Sequence, residues 1–217
     1  MYPIKSKISI FSVIGFGLNL ALIYTFLRLW ISPKVSDVDL IWDLIMLICF
    51  EFFTIHSGLL MMHVARTWKN WLMLIALYGA FAILFNFAVS GNQIFILYGS
   101  VMLNRILSTF LNPEKTARDK KMQLMTSCYY AVFYISLIVF LGFFQFLVPE
   151  FGLTKEFLTA AKYSHLSDDG LVGEPNLIMC WGVLYYLAMI AFDVMMMTKR
   201  GDKLFAEYER INPPKSD

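Results

Sequence analysis

The residues Val38–Ala65 read VDLIWDLIMLICFEFFTIHSGLLMMHVA, an apolar run of 28 residues interrupted by a few ionisable groups. A helix needs roughly 20 mostly apolar residues to cross the hydrocarbon core of a bilayer, so this run is long enough to do so. Its second half, CFEFFTIHSGLLMMH (Cys49–His63), places a glutamate and two histidines where a membrane favours leucine. The first observation sets the fold class, and the second sets where to look for function.

Outward from this run the same pattern repeats. Apolar windows fall at about Ile8–Ile31, Val38–Ala65, Trp71–Ser90, Gln93–Leu111, Met122–Val148 and Asn176–Thr198. The separators SPKVSD, ARTWKN, SGN and NPEKTARDKK are turn-like, and only Gly91 and Asn92 stand between the third and fourth windows. The chain is 59% hydrophobic and 16% charged, where a soluble domain carries about 45–50% and 25%. Mean hydropathy is +0.63. Ile8–Trp30 is too long for a signal-peptide core of about 7–15 residues, so it reads as a retained first span. The expectation is an all-α, polytopic membrane helix bundle with six transmembrane helices.

Cytoplasmic loops of membrane proteins carry the excess of Lys and Arg. Lys5, Lys7, Arg66, Lys69, Lys115, Arg118, Lys120, Lys121, Lys199, Arg200 and Lys203 fall on one side, eleven in all; Arg28, Lys34, Lys155 and Lys162 make four on the other. Both termini are therefore expected in the cytoplasm, in a plasma or inner membrane. Residues 1–217 form one transmembrane domain. Residues 149–175 are expected to make an extracytoplasmic loop, and TKEFLTAAKYSHL within it has helical spacing at Phe157, Leu158, Ala161 and Leu166, as expected of a helix lying along the membrane interface. Residues 199–217 read as a short polar cytoplasmic tail.

Ionisable groups are expensive in hydrocarbon and so tend to face the bundle interior. By depth, Asp43 belongs near the outer surface, Glu51 near the middle, His56 below it and His63 at the inner edge. Asp193 and Arg105 fall in the inner halves of the sixth and fourth windows. Equal depth pairs Arg28 with Asp43 and Arg105 with Asp193, leaving Glu51 with no cation. A carboxyl so placed is cheapest to bury as the neutral acid, which can donate to an amide or a tyrosine. Glu51, His56, Asp193, Asp43 and Arg105 are thus candidates for handling a proton, ion or substrate. Interhelical hydrogen bonding is the plainer role for the same residues.

His56 and His63 lie within about 20° of each other around a helix but about 10 Å apart along it. A metal on His56, His63 and Asp193 would need several helices to assemble it, and the spacing is not HExxH. The cofactor stays unknown, with a metal ion weakly supported. Haem is disfavoured, because the third histidine, His165, lies in the outer loop. Cys49, Cys128 and Cys180 stand in separate apolar runs, without ligand spacing. No P-loop, GxGxxG or GxSxG occurs, so an enzyme, such as an intramembrane metal-dependent one, ranks third. A small transport or proton-handling protein ranks first, ahead of a non-catalytic subunit or scaffold of a larger complex. The expected partners are the bilayer and further membrane subunits or copies of the chain, with no role for nucleic acid.

Overall fold

The computed structural model describes residues 10–64, 68–89, 91–92, 94–96, 98–99, 102, 117–163, 173–196 and 198–211, and all regular structure among them is helical. The long helices are α1 (Ile10–Ile31), α2 (Val38–Val64), α3 (Trp68–Asn86), α4 (Ala117–Phe143) and α6 (Pro175–Met196). A short α5 (Lys155–Ala160) precedes α6, and α7 (Lys199–Ile211) follows it. Three of these contain stretches long and apolar enough to cross a membrane: Lys69–Asn86, Leu124–Phe143 and Pro175–Met196. Gly15–Ile31 is a shorter apolar helix. Most of the expected fourth window, Gln93–Leu111, lies outside the described residues.

α6 is the central element. Of its apolar window 56% is buried, against 17% for α3 and 22% for α4. It packs most extensively on α1 and also meets α2 and α4, while α2 packs on α3 and α4. The main core joins Phe26, Leu29 and Trp30 of α1, Ile41, Ile45 and Ile48 of α2, Tyr134 and Leu141 of α4, and Ile178, Met179, Tyr185 and Tyr186 of α6. A smaller cluster gathers Phe50, Ala82 and Ile94. The outward faces are equally apolar: Leu72, Met73, Leu77 and Leu84 of α3, and Val132, Val139, Phe140 and Phe143 of α4, are exposed. Apolar faces this extensive suit lipid and not water.

Lipid tails are as apolar as leucine, so helices in a membrane associate through close packing and hydrogen bonds. The α1–α6 contact follows that rule. A methyl group added to Gly182 would come within 2.5 Å of the Phe26 ring, and Phe26 is fully buried.

The end of the bundle where α1 stops and α5 begins is tied by short bonds. Trp30 Nε1 donates to the Pro149 carbonyl at 2.9 Å, and the Gly152 amide donates to the Trp30 carbonyl at 3.0 Å. The Thr154 hydroxyl caps α5 by accepting from the Phe157 amide at 3.3 Å. Leu158 and Tyr163 enter the core, so the apolar side of the loop is packed on the protein. The expected partner of Arg28 was Asp43. The ion pair Arg28 forms is instead with Asp37, at 3.0 Å, because the turn Val35–Asp37 presents a carboxylate closer to the helix end than α2 does.

Asp37 Oδ2 accepts both from Arg28 and, at 3.0 Å, from the Lys34 amide. Partial burial pushes the Asp37 carboxyl up, but the Arg28 and Lys34 bonds more than offset this and hold it below 3.8. A depressed folded value contributes stability above the unfolded value and loses it as pH falls through the folded one. Asp37→Asn should therefore cost at most about 1 kcal/mol at pH 7, as expected of a largely solvated pair. That cost should begin to shrink below about pH 4, the unfolded value, and vanish only once pH has fallen through the lower folded one, in thermal melts across pH. A constant difference across the range would remove the ion pair as its cause.

Candidate functional site

The candidate site lies where α2, α4 and α6 meet. Glu51 and Thr54 are three residues apart, so one face of α2 presents both. The Thr54 hydroxyl stands 2.6 Å from Glu51 Oε2 and 2.9 Å from the Glu51 carbonyl, and donates to them. From α6, the Tyr186 hydroxyl donates to Glu51 Oε1 at 3.1 Å. Thr54 is buried and Ser57 fully so, and the Ser57 hydroxyl donates to the Thr54 carbonyl at 2.7 Å. Position 51 thus carries a carboxyl held by hydroxyls from its own helix and from the central one.

Aromatic groups surround it. The rings of Tyr185 and Tyr186 are 5.2 Å apart, and Tyr185 meets Tyr134 of α4 edge-on at 5.4 Å. Tyr134 lies 4.7 Å from the Trp181 ring and donates its hydroxyl to the Ile48 carbonyl at 2.7 Å. Two donors in this cluster, Trp181 Nε1 and Tyr185 Oη, are buried with no acceptor among the described residues. A buried donor left without an acceptor is costly, so the cluster has two hydrogen bonds to offer that the described residues do not take up.

No known family, curated protein or solved structure matches this chain. The reading of the site therefore rests on its chemistry.

A second carboxyl lies further along α6. Asp193, half-buried near the C-terminal end of that helix, accepts a hydrogen bond from Tyr130 of α4. Seven residues separate Tyr186 from Asp193, about 10 Å along the helix. Arg105, the partner expected for Asp193, lies outside the described residues. Asp43 is buried near the N-terminal end of α2. His56 does not join Glu51: its Nδ1 lies 2.6 Å from the Phe52 carbonyl, and its ring rests 4.0 Å from that of Phe52. A carbonyl can only accept, so Nδ1 is the donor in this contact. Among the described residues no three of His, Cys, Asp and Glu are grouped to hold a metal ion. The His63 side chain is not among them.

Five residues of the cluster were not singled out in the sequence: Tyr130, Tyr134, Trp181, Tyr185 and Tyr186. Their signal was available as spacing. Tyr130 and Tyr134, and likewise Trp181 and Tyr185, stand four apart and so share a helix face. Tyr130→Phe leaves the Asp193 carboxyl without its phenol and should cost about 1–3 kcal/mol, the penalty for stranding a buried polar group. Asp193→Asn keeps an acceptor and should cost less. Melting of both variants in detergent checks this; equal losses would show that the Tyr130 bond contributes nothing particular.

Proposed function

We propose that this chain is a six-span membrane protein, with both termini in the cytoplasm, that carries protons or small ions through the bilayer, and that Glu51 is the group that takes up and releases the charge. One observation carries the reading: a carboxyl in the middle of α2 is held by Thr54 and Tyr186 beside two buried donors that lack acceptors among the described residues. Ionisable groups inside a membrane are functional sites by default. Asp43, Glu51 and Asp193 are staggered through the bundle from the outer to the inner side, and the phenols of Tyr186 and Tyr130 each donate to one of the two deeper acids. A proton can be passed along such groups only where water fills the remaining gaps.

The test is reconstitution of the protein into vesicles loaded with a pH-reporting dye. A potassium gradient with valinomycin sets the membrane potential. Dissipation of a pH step faster than in protein-free vesicles supports the reading. Vesicles as tight as the control, with folded protein present, remove it.

A second reading has its own support. The bonds Tyr186–Glu51 and Tyr130–Asp193 both join two helices, which is what polar groups do when they only hold a bundle together. A non-catalytic subunit or scaffold needs nothing more.

The topology has a separate test. Thr159 and Ala206 are both exposed, and the proposed arrangement puts them on opposite sides. Cysteines at these positions should react with a membrane-impermeant maleimide from opposite faces of sealed vesicles. Labelling from the same face rules out six spans with the last one directed inward.

A further inference from the structure

α7 is the element whose character departs most from the sequence reading. Residues 199–211 carry Lys199, Arg200, Asp202, Lys203, Glu207, Glu209 and Arg210, which made them read as a polar tail. The structure folds them into a helix of 13 residues. At about 100° per residue, Leu204, Tyr208 and Ile211 fall on one side, and Lys203, Glu207 and Arg210 on another. Leu204 is 42% exposed and Ile211 69%. Arg210 and Glu207 pair with each other on the charged side.

The link to α6 decides where this helix can go. Only residues 197 and 198 separate the end of α6 from the start of α7. The Thr198 amide donates to the Met195 carbonyl, and the Gly201 amide to the Thr198 carbonyl, both at 3.0 Å. A methyl added to Gly201 would come within 2.6 Å of the Met196 Cα and carbonyl oxygen. In one straight helix, positions five apart are separated by about 7.5 Å along the axis. The chain therefore turns sharply between α6 and α7, and the turn brings Gly201 so close to the Met196 backbone that a side chain has no room there.

We infer that α7 lies along the membrane surface, with Leu204, Tyr208 and Ile211 inserted at the boundary between headgroups and acyl chains. The occupant of the apolar face is lipid of the leaflet in which α6 ends. Continuity with that end decides the occupant: the helix follows an apolar span after a link of two residues and turns away from its axis with Leu204 and Ile211 exposed. Four basic residues against three acidic ones leave little net charge, so the attachment is apolar and should resist salt.

The experiment is a spin-label scan of residues 203–211 in a variant lacking the native cysteines, reconstituted into phosphatidylcholine–phosphatidylglycerol vesicles. Collision with oxygen should peak at 204, 208 and 211, and collision with a water-soluble nickel chelate at 203, 207 and 210, with a period of about 3.6 residues. The pattern should persist in high salt. Nickel access at every position would mean a helix standing in water and would overturn the inference. Shielding of 204, 208 and 211 from both reagents would mean a protein partner on that face, and would overturn it equally. If the cysteine-free variant fails to fold, benzoylphenylalanine at Leu204 with the native cysteines retained gives the same decision. Photolysis should add the mass of a lipid; its absence, or coupling to protein, rejects the inference.

Discussion

Replacing Gly182 by leucine should leave almost no folded protein. At this position α1 and α6 approach so closely that a Cβ would stand 2.5–2.7 Å from three atoms of the Phe26 ring. The ring cannot swing away cheaply, because Phe26 is fully buried and lies against Tyr186, with centroids 6.0 Å apart. Overpacking a tight core by a few atoms costs about 1–3 kcal/mol, which is the range expected for Gly182→Ala. Leucine adds more bulk, and the helices must part. Parting them forfeits dispersion contacts that hydrophobic attraction does not replace in lipid. Adding Phe26→Leu to Gly182→Ala should restore part of the loss, since the smaller side chain can yield. Yield of monodisperse protein and melting temperature in detergent are the readouts. A leucine variant that purifies and melts like the parent would show that the close approach is not what holds α1 on α6. A double variant no better than Gly182→Ala would place the strain elsewhere than Phe26.

What the sequence revealed and what it hid have a common explanation. Total apolarity over about 20 residues locates a helix, and the windows Val38–Ala65 and Asn176–Thr198 match α2 (Val38–Val64) and α6 (Pro175–Met196) to within a few residues. α4 begins earlier than its window, at Ala117, because the basic residues Arg118, Lys120 and Lys121 form helix readily outside hydrocarbon. Position along each helix could also be read, but direction around it could not. Arg28 was matched by depth to Asp43, yet its ion pair is with Asp37, in a turn that no hydropathy window reports. The carboxyl at 51 was legible as lacking a cation at its depth. Its partner across the bundle is Tyr186, 135 positions along the chain, and a lone sequence contains no term linking the two. α7 was hidden for the opposite reason: its charges set the average, while its apolar residues are visible only as a period.

Glu51→Gln should fold and lose proton movement, while Glu51→Lys should fail to fold. Glutamine preserves the length of the side chain. Its carbonyl oxygen can still accept from either Tyr186 or Thr54, so at most one of the two bonds seen at Oε1 and Oε2 is put at risk. The loss of one such bond is about 1 kcal/mol, small enough for the variant to be purified. What glutamine cannot do is bind and release a proton. If Glu51 carries the charge, dye-loaded vesicles holding Glu51→Gln should leak no faster than empty ones. Lysine asks more of the site. It brings an ammonium that can only donate, into a place where Thr54 and Tyr186 both donate already. Both bonds to the carboxyl are lost, and a full positive charge takes the place of a group held by two hydroxyls inside the bundle. Removing one partner of a buried polar arrangement in this way costs about 3–5 kcal/mol, a large part of the stability of a domain. Tyr186→Phe separates the two roles of the site: it removes a bond between helices while leaving the acid in place. Vesicles with Tyr186→Phe should keep some proton movement at reduced melting temperature, whereas Glu51→Gln should show the reverse. Should Glu51→Gln conduct like the parent, the carboxyl serves only to join α2 to α6, and the chain is better understood as a subunit or scaffold.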